Sequence, residues 1–370
     1  MLTIQKAFVT FIVALALIIS LGAIAGIARS DSLADITSKW SRSAHADRDS
    51  RSFTYWNDNE PPVIPANCAH CHSNYAFLDF LGEIGDNPGV VDRDPLVGSV
   101  VSCTTCHNET AHALTQVTFP SGAQVTALGT EGACLICHQG TQSGVNVDEA
   151  IVGMEDDVVS ESLSFINVHY AVAAATQWGA EAGGGYQYAG RSYEGFYAHA
   201  AAYSTCVDCH DAHSLEVNPQ DCSPCHYGVV DHDDLVKIRM DPTDYDGDGD
   251  TREGIAAEID ALRTMLLEAI QDYAATVLQE PIVYGPGSFP YFFAVDTDAD
   301  GKPDPAELNF GNRYVKWTPR LLRAAYNYQF ASKDSGNYTH NPRYVLQLLY
   351  DSLEDLSERV PVDMGPLVRP

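Results

Sequence analysis

All ten cysteines of this 370-residue chain fall into pairs separated by two residues and followed at once by a histidine. The five runs are Cys68-Ala69-His70-Cys71-His72, Cys103-Thr104-Thr105-Cys106-His107, Cys134-Leu135-Ile136-Cys137-His138, Cys206-Val207-Asp208-Cys209-His210 and Cys222-Ser223-Pro224-Cys225-His226. Two thiols at this spacing can each add to a vinyl group of one haem, and the adjoining histidine then lies under the iron as proximal ligand. A single CxxC pair also serves in redox exchange or as half a zinc site, but zinc ribbons do not require a histidine after every pair. A disulfide scaffold is the other use of ten cysteines in an exported chain, and the regular spacing argues against it. The pattern therefore predicts five covalent haems, with His72, His107, His138, His210 and His226 on the irons and no disulfides.

Distal ligands must come from elsewhere in the chain. It has thirteen histidines, so eight remain after the proximal five: His45, His70, His112, His169, His199, His213, His232 and His340. Beyond the initiator, the methionines are Met154, Met240, Met265 and Met364, and none sits among the motifs as closely as the histidines do. Bis-histidine ligation is the economical reading, and it gives lower potentials than methionine ligation. At most five of the eight can be distal, and the rest are surface or hydrogen-bonded residues. His70 has limited reach from inside a motif; His112 and His232 lie in polar stretches. His213, three residues after His210, can reach a neighbouring haem rather than its own.

Several of these contexts carry a family resemblance. Ser43-Ala44-His45-Ala46, Val168-His169-Tyr170, Cys209-His210-Asp211-Ala212-His213 and Thr339-His340-Asn341-Pro342-Arg343-Tyr344 resemble segments of multihaem c-type cytochromes from metal-respiring and related anaerobic bacteria. The resemblance covers most of the chain after residue 40. It implies that His45, His169, His199, His213 and His340 are the distal ligands. It also implies a periplasmic, cell-surface or extracellular location, with redox proteins or other multihaem cytochromes as partners. Some such proteins self-associate into filaments with a continuous haem chain.

Two acidic stretches suggest calcium. Asp296, Asp298, Asp300, Lys302 (through its carbonyl), Asp304 and Glu307 fall at positions 1, 3, 5, 7, 9 and 12 of an EF-hand loop, with Gly301 at position 6. Asp244, Asp246, Asp248 and Asp250 begin a second such loop, but position 12 is Ile255. Glu253 or Glu258 would have to supply the missing carboxylate there. The alternative in both cases is a solvated acidic turn.

The elements that must position these groups divide by character. Residues 1–28 read as a signal peptide or N-terminal membrane anchor: Lys6 precedes an apolar run over residues 7–27, with Ala23 and Ala25 at a plausible cleavage point. Residues 29–232 form the pentahaem region, too dense in motifs and glycine for much regular structure. Tyr170, Tyr186, Tyr188, Tyr193 and Tyr197 are expected against haem faces there. The short step from His210 to His226 suggests two closely stacked haems. Residues 233–370 form a helical region with the calcium loops. One helix is predicted over residues 252–278, with Ile255, Ile259, Leu262, Leu266 and Ile270 at helical period. Thr318-Pro319 opens a second through about residue 330. Asn341-Pro342 opens a third, led by His340. The fold class is mainly α with much irregular structure.

Fifty acidic against 21 basic residues give a formal charge of −29. Such a surface excludes nucleic acid and anionic lipid and suits cationic partners and divalent ions; contact with a membrane is left to the N-terminal segment. The ligand arithmetic favours an electron carrier over an enzyme. The competing reading is a reductase of nitrogen or sulfur oxyanions, which needs one haem with an open distal side. No CxxCK run for a lysine-ligated catalytic haem occurs, and the negative surface is a poor attractor for anions.

Overall fold

A computed structural model describes residues 31–370 except 127, 129, 130, 201 and 202. The N-terminal targeting segment lies outside the described residues. The fold is mostly helical and irregular, with two short antiparallel pairs: Gln116–Thr118 with Gln124–Thr126, and Val283–Tyr284 with Phe292–Phe293.

Most motifs sit on helices of one or two turns: Ala66–His72, Cys103–Cys106, Gly132–Cys137 and Cys206–Cys209. The fifth begins at the end of Pro219–Cys222. A helical turn puts residues i and i+3 on one side, which is what two thiols on one haem require. In four motifs the histidine N–H closes the turn onto the first cysteine carbonyl, at 2.8 to 3.0 Å for His107, His138, His210 and His226. Capping boxes at Ser102 and Thr205 start two of these turns.

Three long helices form the rest of the scaffold: α1 (Ile255–Thr276), α2 (Pro319–Lys333) and α3 (Pro342–Ser357). Thr318 and Asn341 cap α2 and α3 with their side chains, each with proline in the first turn. His340 does not lead α3. It ends a separate turn, Asn337–His340, because Asn341 takes an extended conformation to cap α3.

Helix α2 is buried on nearly every side. Its polar side chains therefore need partners, as burial demands. Arg320 and Arg323 pair with Asp156, Asp157 and Asp355. Asn327 accepts from Tyr186 N (2.7 Å) and donates to Tyr186 O and Ser352 Oγ (3.0 Å each). Gln329 accepts from Val168 N at 3.1 Å. Several of these partners come from the stretch between the third and fourth motifs, so that stretch and the three helices share one hydrophobic core. The contact is close: a Cβ on Gly185 would lie 2.2 Å from Leu348 Cδ1.

The tyrosines divide. Tyr186, Tyr188 and Tyr193 pack into this core, with Arg323 over the first two and Arg369 over the third. Tyr170 and Tyr197 stand beside His169 and His199, at centroid separations of 5.3 and 6.0 Å. Arg323 of α2 thus covers Tyr186 and Tyr188, whereas Tyr193 lies against Tyr344 of α3 and Arg369.

Candidate haem sites

Each motif histidine faces a different one of His45, His169, His199, His213 and His340. Ring centroids lie 5.8 Å apart for His72 and His169, 6.1 Å for His107 and His213, and 6.3 Å for His138 and His45. They lie 6.4 Å apart for His210 and His340, and 5.8 Å for His226 and His199. An imidazole nitrogen sits about 2 Å from a first-row metal, so two rings on opposite sides of one iron have centres about 6 Å apart. The residues present therefore fit a haem iron between each pair.

Ring orientation supports the fit. His72 Nδ1 bonds Ser52 O (2.8 Å), His138 Nδ1 bonds Ala171 O (3.0 Å) and His210 Nδ1 bonds Leu215 O (3.0 Å). His340 Nδ1 bonds both oxygens of Asp334, at 2.8 and 2.9 Å. In each ring this fixes the tautomer and leaves Nε2 for a metal.

Burial, with neighbouring histidines adding to it, holds the His45 pKa down to about 4 and lowers those of His169 and His199, a direction that favours the neutral, metal-competent ring. At His340 burial alone would lower the pKa, but the Asp334 carboxylate outweighs it and the net shift is upward.

Local backbone explains the placements. His45 lies just past the helix Leu33–Ser41 in a turn where Ser43 bonds back to Trp40, and Trp40 Nε1 is anchored on Val101 O at 3.0 Å. His169 and Ala171 both have positive φ, 82° and 54°. That sharp bend aims His169 at His72 while turning the Ala171 carbonyl to His138. One loop thus serves two sites.

All ten cysteines are free. Cys71 lies beside Cys137, and Cys134 beside Cys206. Cys134 lies beside Cys106, and Cys222 beside Cys209. The third motif therefore adjoins the first, second and fourth, and the fourth adjoins the fifth.

Among the other histidines, His70 stacks on Phe80 with centroids 5.0 Å apart, and His232 is exposed. His112 is a residue that sequence reasoning set aside. Its ring lies 5.9 Å from His107 and lines a cleft of about 520 Å³ with His107, Asn108, Glu109 and Ala113. Asp334 and the three carbonyl acceptors were also missed. A main-chain carbonyl carries no sequence signal, and Asp334 reads as an ordinary polar turn residue.

The acidic loops behave differently from one another. Asp296, Asp298 and Asp300 bring carboxylate oxygens within 4.8 Å of one another. Glu307 does not join them: it accepts from Thr297 N (2.7 Å) and Asp304 N (2.9 Å). The Asp304 carboxylate is likewise outside that cluster. In the other loop Asp244, Asp246 and Asp248 cluster, and Asp246 also clusters with Glu253 and Glu258. Burial first, then surrounding carboxylates, raises Asp246 to about 6 and Glu253 to about 7. Asp250 instead bonds Arg252. Among the described residues no helix is long and apolar enough to cross a membrane.

Thiol pairs on helical turns, each with a motif imidazole facing a second one, are what haem of the c type requires. Comparison with known proteins agrees. The protein named C-type polyheme cytochrome OmcB of Geobacter sulfurreducens is 28% identical over 329 residues, covering 79% of this chain and 38% of that protein. C-type polyheme cytochrome OmcC of the same organism is 26% identical over 368 residues, covering 79% and 43%. This chain thus spans about two fifths of the length of the curated relatives it matches. No protein-family model and no solved structure matches it. The chain is similar to multihaem c-type cytochromes.

Proposed function

We propose that the chain carries five covalent haems, each between two imidazoles, and passes electrons singly between a donor of the cell envelope and a periplasmic or extracellular acceptor. The observation that carries this is that each of the five motif histidines faces a different one of five others at 5.8 to 6.4 Å, with His112 a second neighbour of His107 at 5.9 Å. A haem so ligated supplies a one-electron iron couple of low potential with no open coordination position. The protein's part is to fix four of the rings, His72, His138, His210 and His340, through their Nδ1 partners, to exclude water, and to hold the attachment points together so that electrons stay inside the array. The acidic surface favours cationic partner surfaces. Export is supported by the apolar N-terminal run after Lys6. The test is haem content per chain by the pyridine haemochrome assay on the purified protein. Five supports the reading, and a smaller number overturns it.

The two acidic loops take calcium as structural ions. Support comes from crowded carboxylates with atoms left unmatched: Asp296 Oδ1 and Glu253 Oε1 are buried without a hydrogen-bond partner among the described residues. The neighbouring Asp300 raises the pKa of Asp298. The 244–258 loop ends in the first turn of α1, where Glu258 accepts from Tyr245 N and Asp246 N and pairs with Arg239. A cation there would fix the start of that helix.

A further inference from the structure

We propose that Asp334 sets the reduction potential of the haem between His210 and His340 and makes it the lowest of the five. This rests on the reading that those two rings share an iron. Three other candidate ligand rings donate Nδ1–H to neutral main-chain carbonyls, those of Ser52, Ala171 and Leu215. Among the described residues, His340 alone of the candidate ligands meets a carboxylate.

The carboxylate is built into the fold for this contact. Asp334 directly succeeds the last residue of α2 and is 4% exposed. Its remaining hydrogen-bond partner is the Gly336 N–H at 3.0 Å. Among the described residues its one ion-pair partner is His340. Lys333, next in the chain, turns away and donates to Pro286 O at 3.0 Å.

A charged acceptor forms a stronger hydrogen bond than a carbonyl and pushes electron density onto the ring. A more basic ring stabilises the ferric state over the ferrous state, and low surrounding dielectric strengthens the effect. Reduction adds one electron to the iron, the Nδ1 proton stays between ring and carboxylate, and no bond is made or broken. The fourth motif adjoins the third and the fifth, so this haem would be an uphill step inside the array rather than at its edge.

The experiment is a spectroelectrochemical titration of the full haem-loaded chain with Asp334→Asn. Asparagine keeps an oxygen for Gly336 N–H and for His340 and removes only the charge. The expected result is that one fifth of the haem absorbance titrates at higher potential, by at least about tenfold in its reduction equilibrium, or 59 mV for one electron. One of the low-spin signals in electron paramagnetic resonance should change its g values with it. An unmoved titration, or an equal shift in all five components, overturns the proposal. If Asp334→Asn fails to load haem, the wild-type titration gives the second reading: one fifth of the haem absorbance should titrate as a separate component at the lowest potential, and no such component overturns the proposal. A wild-type chain with fewer than five haems would instead defeat the ligation reading itself.

Discussion

Asn327 is the residue through which the stretch between the third and fourth motifs is fastened to the helices, and its removal has a calculable cost. It is fully buried and holds both main-chain polar groups of Tyr186, with bonds of 2.7 and 3.0 Å. Asn327→Leu keeps the volume and leaves the Tyr186 N–H and carbonyl unmatched. Tyr186 is 7% exposed, so water does not readily replace the lost partner. Each orphaned group costs about 1 to 3 kcal/mol, giving about 2 to 6 kcal/mol for the pair. Ser352 Oγ adds little, because it still donates to Leu348 O at 2.7 Å. Guanidinium denaturation tracked by far-ultraviolet circular dichroism measures the difference. A loss below about 1 kcal/mol would refute the idea that this stretch depends on α2 for its hydrogen bonds.

Other contacts set their own expectations. His45→Ala should open one iron, so that carbon monoxide added to the reduced variant shifts about one fifth of the Soret absorbance; no shift would remove His45 from the ligand set. Calcium chelation should lower the melting temperature, and returning calcium at about 100 times its dissociation constant should restore about 2.7 kcal/mol; an unchanged melt would leave both loops as solvated acidic turns. Burial alone would raise the Asp157 pKa, but its bonds to Arg320 and Tyr273 outweigh that and hold it below the usual value. A depressed carboxylate contributes stability above its unfolded pKa and loses it as pH falls through the folded one. Asp157→Asn should therefore destabilise at pH 7, and the gap to wild type should close below about pH 4; a gap constant with pH in urea titrations would contradict this.

Much of the site was legible because its chemistry is local in sequence. The CxxCH spacing needs one helical turn, and a turn is what forms around most of the motifs. The three long helices were readable from apolar period and proline caps, to within a few residues. What could not be read depends on long-range packing. Nothing in the sequence says that Arg320, Arg323, Asn327 and Gln329 would be buried, because their partners lie far away in the chain. The separation of His340 from α3 turns on one extended residue, Asn341. The acidic loops show the limit of a positional pattern. Glu307 stands in register for calcium, yet its oxygens are taken up by the loop's own N–H groups, whereas Glu253, out of register, reaches Asp246.

The most direct test of five bis-histidine haems is carbon monoxide binding to the fully reduced wild-type protein, monitored in the Soret band. Closed coordination at every iron predicts no spectral change. A shift in about one fifth of the absorbance would reveal an open haem, contradict the carrier reading and direct attention to an oxyanion reductase instead.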